Sequence, residues 1–75
     1  MKEQPLTSLR AGNWARVSAI EGSDAHNIRK LLVFGVVPGA ELCVVQTYPA
    51  YVLAVDNTQL ALDYEVASKI IVVKL

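Results

Sequence analysis

A single cysteine, Cys43, stands among 75 residues. With no second thiol, an intramolecular disulfide framework is excluded, and with no His or Cys beside it in sequence Cys43 reads as a buried, inert thiol inside a strand. An excess of charge of either sign is also missing: seven basic residues balance seven acidic ones. Lys2, Arg10, Arg16, Arg29, Lys30, Lys69 and Lys74 are scattered, whereas phosphate-backbone binding needs a clustered positive face, so no nucleic acid is expected as a partner. The longest dense apolar run, residues 31–37, falls well short of the ~20 residues that span a bilayer, so no direct membrane insertion is expected. Residues 1–4 lack an apolar run and Pro5 interrupts before any could begin, a pattern unlike a signal peptide, so a cytoplasmic location is expected. A glycine-rich phosphate loop, paired His or Cys residues and a nucleophilic Ser elbow are all lacking, so no catalytic residue, cofactor site or metal site is assigned.

What is present is aliphatic. Hydrophobic residues make up 53% of the chain, and a domain this small hides only about 60% of the surface its unfolded chain exposes. Its stability therefore rests on dense packing of Val, Leu and Ile. High apolar content at zero net charge weakens self-repulsion, which admits a homo-oligomer or a protein partner.

Turn chemistry divides the chain. Residues 1–4 form a frayed end, and 5–75 a single domain. Residues 5–12 are a lead-in in which Leu6 and Leu9 share one side and Gly12 closes the turn, so the two leucines cap one end of the core. Residues 14–21 alternate imperfectly, with Ala15, Val17 and Ala19 on one face. A bulge near Ser18 lets Val17 and Ile20 both point inward. A Gly22-Ser23-Asp24 loop leads to a helix over 25–34, whose Ile28, Leu31 and Leu32 have i, i+3, i+4 spacing for one buried stripe. Gly35 fits the left-handed residue after a helix, and Pro38-Gly39 fits a type II turn. Strands follow over 41–47 and 51–56, joined by a Tyr48-Pro49-Ala50 corner, and Asp56-Asn57 turns the chain into a strand over 58–62. Asp63 caps a brief helical turn to Ala67, and 69–74 is the last strand. The expected fold class is mainly β: a small SH3-like five-stranded barrel with one inserted α-helix and a short helical turn before the last strand.

The series Arg29-Lys30-Leu31-Leu32, Phe34-Gly35, Pro38-Gly39 and Leu42 to Val45, followed by Pro49, Leu60-Ala61-Leu62, Ala67 and Ile70 to Val72, resembles the FeoA family of ferrous iron transport. That family is related to the SH3-like C-terminal domain of iron-dependent repressors. The resemblance covers nearly all of residues 5–73. Many family members carry a Gly-Asp-Pro extension after the proline matched by Pro49, and a basic residue after the apolar pair matched by Leu60 and Leu62. This chain has Ala50-Tyr51 and Asp63 there, giving a shorter hairpin and an acidic cap. The resemblance implies a small cytosolic accessory or regulatory protein of ferrous iron uptake, which binds the cytosolic domain of a FeoB-type permease and catalyses nothing itself. Two alternatives belong to other classes: a free-standing metal-responsive regulatory domain, and an SH3-like module that takes proline-rich peptides.

Two segments carry the candidate contact residues. The helix offers Arg29, Lys30, Leu31 and Phe34, since a helix outside a small barrel leaves one apolar side uncovered. The corner offers Tyr48, Pro49 and Tyr51, because aromatics beside proline on a loop anchor protein contacts. Trp14 is open to two readings, a lid over the core or an exposed anchor. Asp24 and His26, with Glu21 or Glu41, would make a sparse metal-ligand set. A capping Asp beside a solvated His accounts for the pair better.

Overall fold

The computed structural model describes residues 2–22 and 24–75. Six strands form one antiparallel sheet: β1 (Glu3–Pro5), β2 (Trp14–Ile20), β3 (Glu41–Gln46), β4 (Tyr51–Val55), β5 (Thr58–Leu62) and β6 (Ile70–Lys74). Helix α1 (Ala25–Val33) lies between β2 and β3, helix α2 (Tyr64–Ser68) precedes β6, and a 3-10 turn, Leu6–Ser8, follows β1. The strand order is β1-β6-β2-β3-β4-β5, so β1 and β5 form the two ends and no ladder joins them. The mainly β, SH3-like class expected from the sequence is the one observed, with six strands for five and a sheet left open.

The sixth strand corrects the frayed end. Glu3 and Gln4 pair with Val73 and Val72 of β6, and Pro5 with Ile71. Three polar or proline residues carry no alternating apolar signal, and it is the neighbouring strand that orders them. Met1 and Ser23, and with them part of the expected frayed end and loop, lie outside the described residues.

Two irregularities bend the sheet. Between β2 and β6 the register shifts from Val17↔Val72 to Ala19↔Ile71, which places the bulge at Ser18 as expected. A second shift between β3 and β4, from Val44↔Leu53 to Gln46↔Val52, leaves Val45 as the extra residue. Bulges increase local twist and bend the strand that carries them, and here they wrap the sheet around its inner face. That face supplies Ala15, Val17, Leu42, Val44, Leu53, Leu60, Ile70 and Val72, all buried; Leu6, Leu9, Leu31 and Ala67 close the ends. Ile20 is partly buried against them. Cys43 faces the other way and is half-buried, its thiol 3.7 Å from the Val44 carbonyl.

Helix α1 is fixed at both ends by its own sequence. The Asp24 carboxylate accepts a 2.8 Å hydrogen bond from the Asn27 amide. At the other end Gly35 has φ +85°; its N–H donates to Leu32 and the Val36 N–H to Leu31. These are the two bonds of a Schellman closure, with Leu31 and Val36 both buried beneath it. The chain then turns through Pro38-Gly39: the Ala40 amide donates to the Val37 carbonyl and Gly39 has φ +93°. Gly39 and Ala40 exchange backbone hydrogen bonds with Val17, which stitches this turn to the start of the β2 bulge.

Candidate functional site

On α1 the closure at Gly35 sets the rotation of the helix, and so decides which apolar residues face out. Leu31 is fully buried and Ile28 half-buried, whereas Leu32 is 52% and Val33 76% exposed. The expected buried stripe thus holds for Ile28 and Leu31 and fails for Leu32, which lies about 100° further round the helix than Leu31. His26, Arg29 and Lys30 are exposed along the same outward side. No acidic residue stands in the first turn of α1, and Lys30 lies in its last turn, where a cation complements the helix dipole. The outward surface of α1 is therefore basic at Arg29 and Lys30 and apolar at its C-terminal end. Phe34 is half-buried and packs against the core. Leu31 offers no side-chain surface to a partner and drops out of the candidate set.

At the corner between β3 and β4, Tyr48 is 85% exposed and Pro49 is exposed after a cis peptide bond. Tyr51 turns inward: it shares strand parity with Leu53 and Val55 and is buried with them. Its hydroxyl donates a long 3.4 Å hydrogen bond to the Thr7 carbonyl. Its ring lies 6.2 Å from that of Tyr64, tilted by 55°. Burial removes Tyr51 from the contact set and leaves Tyr64, 67% exposed at the start of α2, as the aromatic beside it that reaches solvent.

The two candidate segments do not form one site. A methyl at Gly35, just beyond α1, would meet Val55 Cγ1 at 3.6 Å, so the helix ends beside the last residue of β4. The corner precedes Tyr51, the first residue of β4. Along the strand these ends are about 13 Å apart. Arg29, Lys30 and Phe34 thus belong to one patch, and Tyr48 and Pro49 to another.

Trp14 is resolved as exposed, at 54%. It stands opposite Cys43 on the outward side of the sheet, and its carbonyl accepts from the Leu75 amide. The Asp24 carboxylate is engaged in capping and His26 is solvated. No cluster of three metal-ligating side chains occurs among the described residues, nor is any helix among them long and apolar enough to cross a membrane.

A bent six-stranded antiparallel sheet, with one helix inserted after β2 and one turn of helix before the last strand, defines a small SH3-like β domain. The FeoA domain model matches residues 4–74, and the chain belongs to the FeoA family, which is involved in ferrous iron transport. It is similar to a crystal structure described as iron uptake regulatory protein (FeoA), with 25% identity, TM-score 0.87 and all of both chains covered. The FeoA protein from Chlorobium tepidum is 28% identical, with TM-score 0.86 over 96% of this chain and 70% of that one. IdeR from T. acidophilum superposes with TM-score 0.93 over all of this chain and 35% of the repressor; at 21% identity this is a likeness of fold. Among curated proteins none matches the chain.

Proposed function

We propose that this chain is a cytosolic accessory protein of ferrous iron uptake that acts by docking on the cytosolic domain of a FeoB-type permease. Family membership supplies the transport context. The observation that carries the docking step is the outward side of α1, where Arg29 and Lys30 stand beside Leu32 and Val33 with no acidic residue on the helix. Exposed apolar side chains rimmed by charge are what a specific protein contact uses, the apolar pair for burial and the charges for steering and register. Tyr48 and Pro49 form a second contact on a partner broad enough to reach both patches. The protein's contribution is binding, and the permease performs the transport chemistry.

Titrating the isotopically labelled chain with the purified cytosolic domain tests this reading. The expected result is amide shifts at 26–33 and around Tyr48, with an affinity that falls about tenfold in an Arg29→Glu, Lys30→Glu double variant. Unshifted amides in both segments at saturating partner would remove the basis of the proposal.

A further inference from the structure

The two ends of the open sheet are finished differently. β1 has three residues, includes Glu3 and Pro5, and follows Lys2; charge, proline and brevity are the devices that keep an edge from pairing with another chain. β5, at the other end, has none of them within its five residues, and its flanking charges are Asp56 and Asp63. Its sequence Thr-Gln-Leu-Ala-Leu contains no charge, proline or glycine, and it pairs with β4 in unbroken register from Val55↔Thr58 to Tyr51↔Leu62. Among the described residues no turn or loop hydrogen bond reaches its backbone from any other segment. The two-residue loop Asp56-Asn57 makes Val55 and Thr58 the flanking hydrogen-bonded pair. By alternation Thr58, Leu60 and Leu62 turn their peptide groups toward β4, and Gln59 and Ala61 turn theirs outward. The side chains of Gln59 and Ala61 are exposed as well.

We propose that β5 is a self-pairing edge, through which two copies of this chain join antiparallel about a two-fold axis at Leu60 and continue the sheet across the dimer. In that register Gln59 lies opposite the partner's Ala61 and Thr58 opposite the partner's Leu62. The flanking carboxylates select this arrangement. Asp63, just past the strand, falls toward the partner's Asn57, and Asp56 in the turn lies away from the partner's Asp56, so no like charges meet. A parallel pairing in register would set Asp56 against the partner's Asp56 and Asp63 against the partner's Asp63, which is repulsive. The zero net charge of the chain adds no long-range opposition.

Sedimentation equilibrium over a dilution series reaching millimolar chain reads the association directly. The expected result is a mass that rises with concentration to twice the 8.2 kDa of the chain. A Gln59→Lys, Ala61→Lys double variant places like charges opposite one another at the axis and stays monomeric with an unchanged far-UV spectrum. Trp14→Lys, on the outward side of the sheet, still dimerises. In the unsubstituted chain the Gln59 and Ala61 amides exchange more slowly at high concentration than at low, a readout that needs no variant. A chain monomeric throughout, a dimer that survives the double variant, or exchange at both amides independent of concentration overturns the proposal. A monomer that takes up an extended peptide at β5 overturns it in favour of strand addition by another protein.

Discussion

Adjacent leucines on α1 have opposite fates, and the residue that separates them is Gly35. The Schellman closure ties the Leu31 carbonyl to the Val36 amide and so holds Leu31 over the core, which turns Leu32 to solvent. Leu31→Ala removes a fully buried side chain and should cost about 2–5 kcal/mol of stability. Leu32→Ala should change stability by about 0.5 kcal/mol or less. Urea unfolding of the two variants measures both, and equal losses would place the helix in a different rotation. Gly35 itself has room for a methyl group, with Val55 Cγ1 at ordinary van der Waals distance. The penalty for Gly35→Ala is therefore conformational: at φ +85° an L side chain costs roughly 1–2 kcal/mol. A midpoint unchanged in Gly35→Ala would mean that the closure does not hold the helix end.

Both helices depend on an aspartate cap. Asp24 accepts from the Asn27 amide and Asp63 from the Val66 amide, each at 2.8 Å. Asp24→Ala and Asp63→Ala should each cost about 1 kcal/mol, and Asn substitutions at the same positions much less. Thermal unfolding compares the two series, and an Asn variant as damaging as the Ala variant would assign the loss to charge instead of capping. These caps, the Gly35 and Pro38-Gly39 turns, and the bulge at Ser18 were legible in the sequence because each rests on chemistry within a few residues. The rotation of α1 was not. Ile28, Leu31, Leu32, Val33 and Phe34 form an apolar cluster too dense for its period to choose a face, and the choice is made where the closure at Gly35 packs Leu31 and Val36 into the core. The inward turn of Tyr51 was legible in its strand parity with Leu53 and Val55. Reading Tyr51 as part of the corner with Tyr48 and Pro49 put that signal aside.

At the scale of the whole molecule the decisive fact is that the sheet does not close, so each end must be finished by other means. β1 is the strand that sequence patterning could not show, because Glu3, Gln4 and Pro5 are ordered by β6 and by a hydrogen bond from the Ser18 hydroxyl to the Glu3 carboxylate. What β1 covers explains its value. β6 reads Ile-Ile-Val-Val-Lys, and without β1 it would present four consecutive apolar β-branched residues as an open edge, a pattern prone to intermolecular pairing. Removing residues 1–4 should therefore have two separable effects. Loss of the two cross-strand pairs that Glu3 and Gln4 make with β6, at about 0.2–1 kcal/mol each, lowers stability by roughly 0.4–2 kcal/mol. Exposure of β6 also makes the shortened chain aggregate with a rate that rises with concentration. Denaturant unfolding reads the first effect and light scattering the second. Lysine at Val73, which faces Glu3 across the ladder, should suppress aggregation in the shortened chain without restoring its stability. A shortened chain as stable and as soluble as the full one would show that β1 rests on the edge of β6 without protecting it.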